Sequence, residues 1–410
     1  MQGHIHKRIH YTHDGRTTTT WYVVVDRGRD RNGKRRQKWH GGFRTRKEAE
    51  AARARIVNEI NTGTYVAPTG ATLEEYVRKD WLPTSRERLK ATTWDSYSRN
   101  LELHVLPRLG SVALHRLSPT SLNSLYAELL ASGRVRDGSG LSPRTVSYIH
   151  TILRKALQDA VDARLIPQNP ADGARPPRPE KRKNRELRFW TPEELRQFLD
   201  HTRENRLYPA WHLAAMTGMR RGEVLGLRWD DVDEERRRLT VRHSLVSVAY
   251  EVHETTPKSH RARVVDLDTA TVELFDEQRS RQRADREAWQ GDYEDSDLVF
   301  SREDGSPIHP DSLSKQFDAA VMRSGVPRIR LHDLRHTHAT IALQAGVPVK
   351  VISERLGHES AAFTLQQYAH VMPGMQADAA ARVADLVLSA SREIPCTEPD
   401  TNIRSIYDEG

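Results

Sequence analysis

At 410 residues with a net charge of +8 and a pI near 9.5, the chain has length for two to four domains, and its basicity points to a polyanionic partner. Its single cysteine, Cys396, excludes an internal disulfide framework and any cysteine-based zinc or iron–sulfur cluster. The opening MQGHIHKRIHYTHDG lacks an apolar signal core and no stretch approaches the ~18 apolar residues of a membrane span, so a soluble, cytoplasmic protein is expected.

Residues 1–65 carry 15 Lys+Arg against 6 Asp+Glu, a net +9, whereas residues 66–410 hold 49 and 50, a net −1. The positive excess therefore sits in the first sixth of the chain, where it draws that segment onto phosphates in a salt-dependent way. A solubilising basic tail is the alternative, but the segment also shows folded patterning. Trp21-Tyr22-Val23-Val24-Val25 is rich in strand formers, Asn32-Gly33 is a hairpin turn signal, and Arg35 to His40 supplies a returning strand. Thr45 and Glu48 make a capping box before the helical run KEAEAARARIVNEI, and Gly63 lies just past its end.

A second unit runs from 72 to 170. Thr72 with Glu75 forms another capping box, and helices are marked by the apolar spacing of LEEYVRKDWL, by Ser118-Pro119 and by Ser142-Pro143. In the last of these Val146, Ile149, Leu153, Ala156, Leu157 and Ala160 share one core-facing stripe; Arg144, Arg154 and Lys155 lie off it, within reach of a DNA backbone. Residues 165–188 hold five prolines and a basic run, which predicts an extended connector with its linker at 171–185. Thr191-Pro192-Glu193-Glu194 then opens a new helix and a domain reaching to 390, followed by a polar tail at 391–410.

Within that domain Thr217-Gly218 breaks the chain and MRRGEVLGLRW resumes a helix that puts Arg220 and Glu223 on one face. HSLVSVAYEVHETTPKSHRARVVDL alternates apolar and polar residues on both sides of TTPKSH, which predicts a β-hairpin with Lys258 near its tip. His332 and Arg335 stand three apart in HDLRHTHATIALQAG, whose Leu334, Ile341, Ala342 and Ala345 form a buried side. His332 and His336, four apart, also suggest a zinc helix, but the intervening acid is Asp and no further ligand set stands out. A helix closing at Gly357 brings His358 to a turn, and Tyr368 follows ten residues later. The helical segment 374–390 carries Met375, Val383, Leu386 and Val387 near one face.

Two arginines, two histidines, a lysine and a tyrosine are the parts needed to cut and rejoin a phosphodiester without metal. Guanidinium forks match phosphate geometry bidentately and neutralise the charge of a pentacoordinate phosphorus. The phenol attacks, while Lys and His move protons. Taken in order, Arg220 in TGMRRGE, Lys258 in TPKS, His332 and Arg335 in HDLRH, His358 in LGHES and Tyr368 in LQQYAHV resemble the tyrosine recombinase (phage integrase) family. The resemblance selects Arg220 over Arg221, with Glu223 orienting it. It implies that Lys258 protonates the departing 5′-oxygen, with Arg261 and Arg263 as bystanders. His332, Arg335 and His358 would hold the scissile phosphate and Tyr368 would attack it. His336 and His338 are expected to face DNA or serve structure, and Tyr407 lies outside any motif.

The same resemblance implies a multidomain fold: a small β-sheet plus helix arm-binding domain at 1–65, an all-α SAM-like core-binding domain at 72–170, and a mixed, mainly α catalytic domain at 186–390. The expected activity is site-specific recombination of double-stranded DNA attachment sites by a homotetramer, through a 3′-phosphotyrosyl intermediate and a Holliday junction. No cofactor, metal or ATP is expected; a directionality factor and a host DNA-bending protein are compatible partners. The C-terminal helix would close its own domain or dock on a neighbouring protomer. The nearest alternative is a housekeeping recombinase that resolves chromosome dimers, whose kind generally lacks a basic amino-terminal domain. A non-catalytic DNA-binding relative would lack the nucleophile or an arginine, and a metal-dependent nuclease would be stopped by a chelator.

Overall fold

The computed structural model describes residues 3–11, 17–29, 35–62, 65–66, 70–179, 188–256, 262–368 and 375–390. The chain divides into two compact units, residues 1–183 and 184–410.

The first unit opens with β1 (Gly3–Tyr11), β2 (Thr17–Arg29) and β3 (Arg35–Phe43), an antiparallel sheet in that order, followed by α1 (Arg46–Asn61). Alternation along β2 sends Val23 and Val25 to the helix side, where they pack against Ala49, Ala52 and Ile56. The Thr45 hydroxyl accepts the Glu48 N–H at 3.2 Å, but the Glu48 carboxylate accepts the N–H of Arg44 at 3.1 Å, one residue before the expected partner. The expected turn at Asn32-Gly33 and Gly63 lie outside the described residues.

A helical bundle follows: α2 (Leu73–Glu75), α3 (Leu82–Arg88), α4 (Ala91–Asn100), α5 (Leu106–Leu109), α6 (Pro119–Ser132) and α7 (Pro143–Asp162). The Thr72–Glu75 box is complete in both directions, and Ser118 and Ser142 cap α6 and α7. LEEYVRKDWL is not a uniform α-helix. A π-turn at Tyr76–Trp81 precedes Pro83 and another at Leu101–Val105 precedes Pro107. Proline lacks an N–H and clashes with the carbonyl four residues back, so wider five-residue bonding, such as Leu82 N–H to Val77 O, absorbs the misfit. The six stripe residues of α7 are fully buried, and Arg144, Arg154 and Lys155 are exposed.

The expectation of an extended connector from 165 does not hold for its first part. Ile166 and Ala171 are buried in the bundle core, and Asn169 donates to the Arg154 carbonyl at 2.9 Å and accepts the Ala171 N–H at 3.0 Å. The Asn169 side chain thereby pins this segment onto α7. Residues 180–187 lie outside the described residues.

The second unit is mainly helical: α8 (Pro192–His201), α9 (Tyr208–Thr217), α10 (Arg221–Leu225), α11 (Thr269–Trp289), α12 (Pro310–Ser324), α13 (Asp333–Gln344), α14 (Val349–Leu356), α15 (Ala361–Tyr368) and α16 (Met375–Ala390). Apolar on all sides, α9 is the buried axis, and Trp190, Phe198, Trp211 and Phe317 interlock beside it with ring centroids 4.9–6.1 Å apart. A smaller cluster joins Ala339, Leu343, Ile352, Leu356 and Tyr368 from α13, α14 and α15. Val383, Leu386 and Val387 of α16 are exposed.

The β-structure corrects the predicted hairpin. β6 (Ser244–Val248) pairs with β7 (Glu251–Thr255) around Ala249 and Tyr250, both at positive φ (51° and 68°). β8 (Arg263–Asp266) instead joins β4 (Val232–Asp233) and β5 (Arg238–Val241) in the order β4-β5-β8. Thr255 therefore ends β7 rather than approaching a hairpin tip, and Lys258 lies outside the described residues. The tip uses an Ala-Tyr pair in the left-handed region, without the Gly or Asn that normally marks such a turn, so the residue types did not reveal it.

Candidate active site

Two left-handed glycines shape the site. Gly218 (φ 65°) ends α9 and Gly357 (φ 63°) ends α14; an added Cβ at Gly218 would run into Leu356. Each glycine turns the chain sharply, the first to place Arg220 at the start of α10 and the second to place His358 beyond α14.

Three arginines converge on the last carbonyls of α14. Arg263 Nε donates to Arg355 O at 2.9 Å, Arg335 Nη2 to Leu356 O at 2.7 Å, and Arg220 Nη2 to Gly357 O at 3.3 Å. A helix C-terminus leaves these acceptors unused and carries partial negative charge, so it holds the cations in place. Arg335 Nη1 also donates to Gly218 O at 2.8 Å, tying the two glycine turns together. It is 4% exposed, and burial, then Arg220, weaken its hold on the proton to about 9, so it remains cationic at neutral pH.

Glu223, 1% exposed, is the common counter-ion. It accepts the Arg220 N–H at 2.9 Å, Arg220 Nη1 at 2.8 Å, and both terminal nitrogens of Arg263 at 3.1 and 2.6 Å. Burial alone would raise its pKa; hydrogen bonds and charge from Arg263, with Arg220, outweigh that and hold it at about 2. Arg263 corrects the sequence reading, in which it was a bystander. Strand alternation in β8 faces it inward with Val265, the one signal that pointed to it.

The histidines divide their work. His332 is exposed at the start of α13, edge-on to His336 with centroids 5.5 Å apart, and surrounding protein, then Arg335, lowers its pKa. His358 is half-buried, hydrogen-bonded through Nδ1 to Thr364 Oγ1 at 2.7 Å, and pushed down to about 4 by burial, then Arg335 and Arg220. His338 Nδ1–H donates to Ala215 O at 3.0 Å, a structural bond. His336, expected to face DNA or serve structure, has its Nδ1 2.8 Å from Tyr368 Oη, a contact the sequence reading did not name. Burial, then His332, lowers His336 to about 4, and burial raises Tyr368 to about 12 despite Arg335. The four-residue step from His332 to His336 was visible in the sequence, but only as a metal pattern. Asp333 is engaged by Arg330, whose Nη2 lies at 2.6 Å, and among the described residues no three His, Cys, Asp or Glu side chains group for a metal.

The structure thus brings Arg220, Glu223, Arg335, His332, His358 and Tyr368 into one region. Lys258, Arg261 and Tyr407 lie outside the described residues. What gathers is an anion-binding cradle of fixed guanidiniums beside a buried phenol, a combination suited to covalent transfer at phosphorus.

Comparison with known proteins agrees along the chain. The Arm DNA-binding domain matches residues 10–60, the Phage integrase N-terminal SAM-like domain residues 72–130, and the Phage integrase family residues 188–374. A "Tyrosine recombinase XerC-like" protein of Caldanaerobacter subterraneus subsp. tengcongensis is 28% identical over 401 residues, 93% of this chain and 100% of that protein. The Tn1549 transposon integrase in complex with a circular intermediate DNA shares the fold with a TM-score of 0.60, 20% identity, and coverage of 77% of this chain and 100% of the other. The lambda integrase tetramer bound to a Holliday junction does so with a TM-score of 0.52, 18% identity, and coverage of 86% and 96%. Among the described residues no helix is long and apolar enough to cross a membrane. With three integrase segments matched in order and a relative aligned along nearly its whole length, the chain belongs to the phage integrase family and is a tyrosine site-specific recombinase.

Proposed function

We propose that this recombinase integrates or excises a mobile element by attack of Tyr368 on a DNA phosphate held between Arg220 and Arg335. The observation that carries the reading is the convergence of Arg220, Arg335 and Arg263 on three successive carbonyls at the C-terminal end of α14, beside Tyr368. In this reading Tyr368 forms a 3′-phosphotyrosyl bond, His332 and His358 bond the phosphate, Glu223 orients Arg220, and Lys258 protonates the leaving 5′-oxygen. The freed 5′-hydroxyl then attacks the partner strand. Four protomers on two duplexes would pass through a Holliday junction, as suits a fold shared with the lambda integrase tetramer bound to one. Phosphodiester energy is stored in the covalent link, so neither ATP nor metal is required. The protein would act in the cytoplasm, with a directionality factor and a host DNA-bending protein as accessory partners.

The direct test is a nicked suicide duplex carrying the core site, recovered from DNA flanking the element. A covalent protein–DNA adduct is expected in excess EDTA at the rate seen without it, because guanidiniums already neutralise the phosphate charge. An EDTA-sensitive cleavage without adduct would replace this reading with a metal-dependent nuclease.

We assign residues 1–65 to arm sites, 72–170 to the core site, 171–185 to the linker apart from Ala171, which packs in the bundle core, 186–390 to catalysis and 391–410 to a tail. The +9 charge of residues 1–65 supports a separate DNA-reading head. Removing it is expected to spare core-site cleavage by 66–410 and to impair integration between full attachment sites. The log–log salt dependence of binding should also flatten, by about 0.9 for each phosphate that is no longer neutralised. Footprinting and salt titration of both chains measure this. Equal protection and equal slope would favour a housekeeping recombinase.

A further inference from the structure

The phenol of Tyr368 needs a partner to receive its proton. It is 1% exposed among Ala339, Leu343, Ile352 and Leu356, so bulk water does not reach it freely. Fixed guanidiniums stabilise an oxyanion but, being already protonated, do not accept a proton. Among the described residues the hydrogen-bond partner of Tyr368 Oη is His336 Nδ1, at 2.8 Å. Of the other histidines near the site, His358 Nδ1 bonds Thr364 and His338 bonds the Ala215 carbonyl, while His332 stands edge-on to His336 rather than hydrogen-bonded to Tyr368.

From this geometry we propose that His336 is a further catalytic residue, the base that takes the Tyr368 proton during attack and returns it when the phosphotyrosyl bond is broken. The inference rests on the reading of Tyr368 as the nucleophile. In the forward step the Tyr368 oxygen–phosphorus bond forms, the bond from phosphorus to the 5′-oxygen breaks, and the phenolic proton moves to His336 Nδ1. The leaving oxygen takes its proton from Lys258. In the reverse step a 5′-hydroxyl gives its proton back to Lys258 as its oxygen bonds to phosphorus, the bond from phosphorus to the Tyr368 oxygen breaks, and His336 hands its proton back to that oxygen, so no co-reactant is consumed.

The environment fits the task. His336 is neutral at neutral pH, with Nδ1 free to accept when Nε2 carries the hydrogen. The groups facing it are His332, Asp333 and Arg335 on and beside its own helix, Arg330 before that helix, His358 beyond α14 and Tyr368 on α15. Burial first, then His332, with smaller contributions from Arg335 and Arg330, leaves a weakly basic imidazole. A scissile phosphate seated on Arg220 and Arg335 adds negative charge and raises its basicity as the attack begins.

The test uses the full chain on the suicide duplex, with single-turnover adduct formation followed across pH for His336→Ala and His336→Asn. Asparagine keeps a polar atom near the Nδ1 position without a useful base. Both variants are expected to slow adduct formation on the order of 10²-fold or more at neutral pH, with rates that keep climbing as pH rises. Each is then combined with 3,5-difluorotyrosine at position 368, a phenol far more acidic than tyrosine. That nucleophile is expected to recover most of the loss, because it needs no base. An equal defect with both nucleophiles would reduce His336 to a packing role, and faster cleavage in His336→Ala would make its hydrogen bond a restraint on the nucleophile. Circular dichroism and core-site binding confirm that the variants fold. Failure of the unaltered chain to form any adduct at Tyr368 would instead remove the nucleophile itself, and the two failures are thereby told apart.

Discussion

Replacing Tyr368 by phenylalanine is expected to abolish covalent attachment to DNA, a loss on the order of 10⁶-fold in strand cleavage, while core-site binding stays close to that of the unaltered chain. The ring fills the cluster of Ala339, Leu343, Ile352 and Leu356, and phenylalanine fills the same volume, so packing survives. What disappears is the attacking oxygen together with its hydrogen bond to His336, a loss of about 1 kcal/mol in stability. Denaturing electrophoresis on the suicide duplex reads the adduct directly. An adduct that persists in Tyr368→Phe, or that vanishes in Tyr407→Phe instead, would overturn the assignment.

The second large effect is expected from Glu223→Gln. Removing this buried charge leaves Arg220 and the 9%-exposed Arg263 without their shared counter-ion and adds to the repulsion both exert on Arg335. Breaking a buried pair in this way costs about 3–5 kcal/mol. Catalysis falls too, roughly 10²-fold, because the amide keeps one acceptor oxygen and Arg220 loses one of the two bonds that aim it, along with the paired charge. The pH dependence has a definite sign. The folded-state pKa of Glu223 is depressed from 4.5 to about 2, so its stabilisation is fully present above pH 4.5 and is lost as pH falls through about 2. That shift corresponds to about 3 kcal/mol, in line with the mutational range. Denaturant unfolding between pH 2 and 7 checks it: the acid loss of stability should be shallower in Glu223→Gln by that amount. Parallel curves for the two chains would show that Glu223 is not the group that titrates.

The two effects have different origins, and so did their legibility. Tyr368 was visible because a phenol at a set distance after an LGH turn is a local pattern. Helix starts were visible for the same reason: a side-chain cap bonds a backbone N–H two or three residues away, so Thr72, Ser118, Ser142 and Thr191 could be read directly. The α7 stripe was readable because helical period alone decides which residues share a face. Likewise the uneven charge needs no structure at all.

Tertiary structure alone decided partnership. Arg263 meets Glu223 across 40 residues and Arg355 across 92, and Arg335 meets the Gly218 carbonyl across 117. Periodicity says that Arg263 faces inward, but not that a carboxylate waits there. The hairpin was misplaced because alternation continues through β7 and β8 alike, while strand pairing depends on a left-handed Ala249-Tyr250 tip and on which edge β5 leaves open. His336 was set aside because its four-residue step from His332 evoked only a metal, whereas its partner, Tyr368, arrives from a helix 32 residues away. Local bonds and period are carried by neighbouring residues and survive in the sequence as pattern. A meeting of distant segments depends on how whole helices and strands pack, and it exists only once the core has closed.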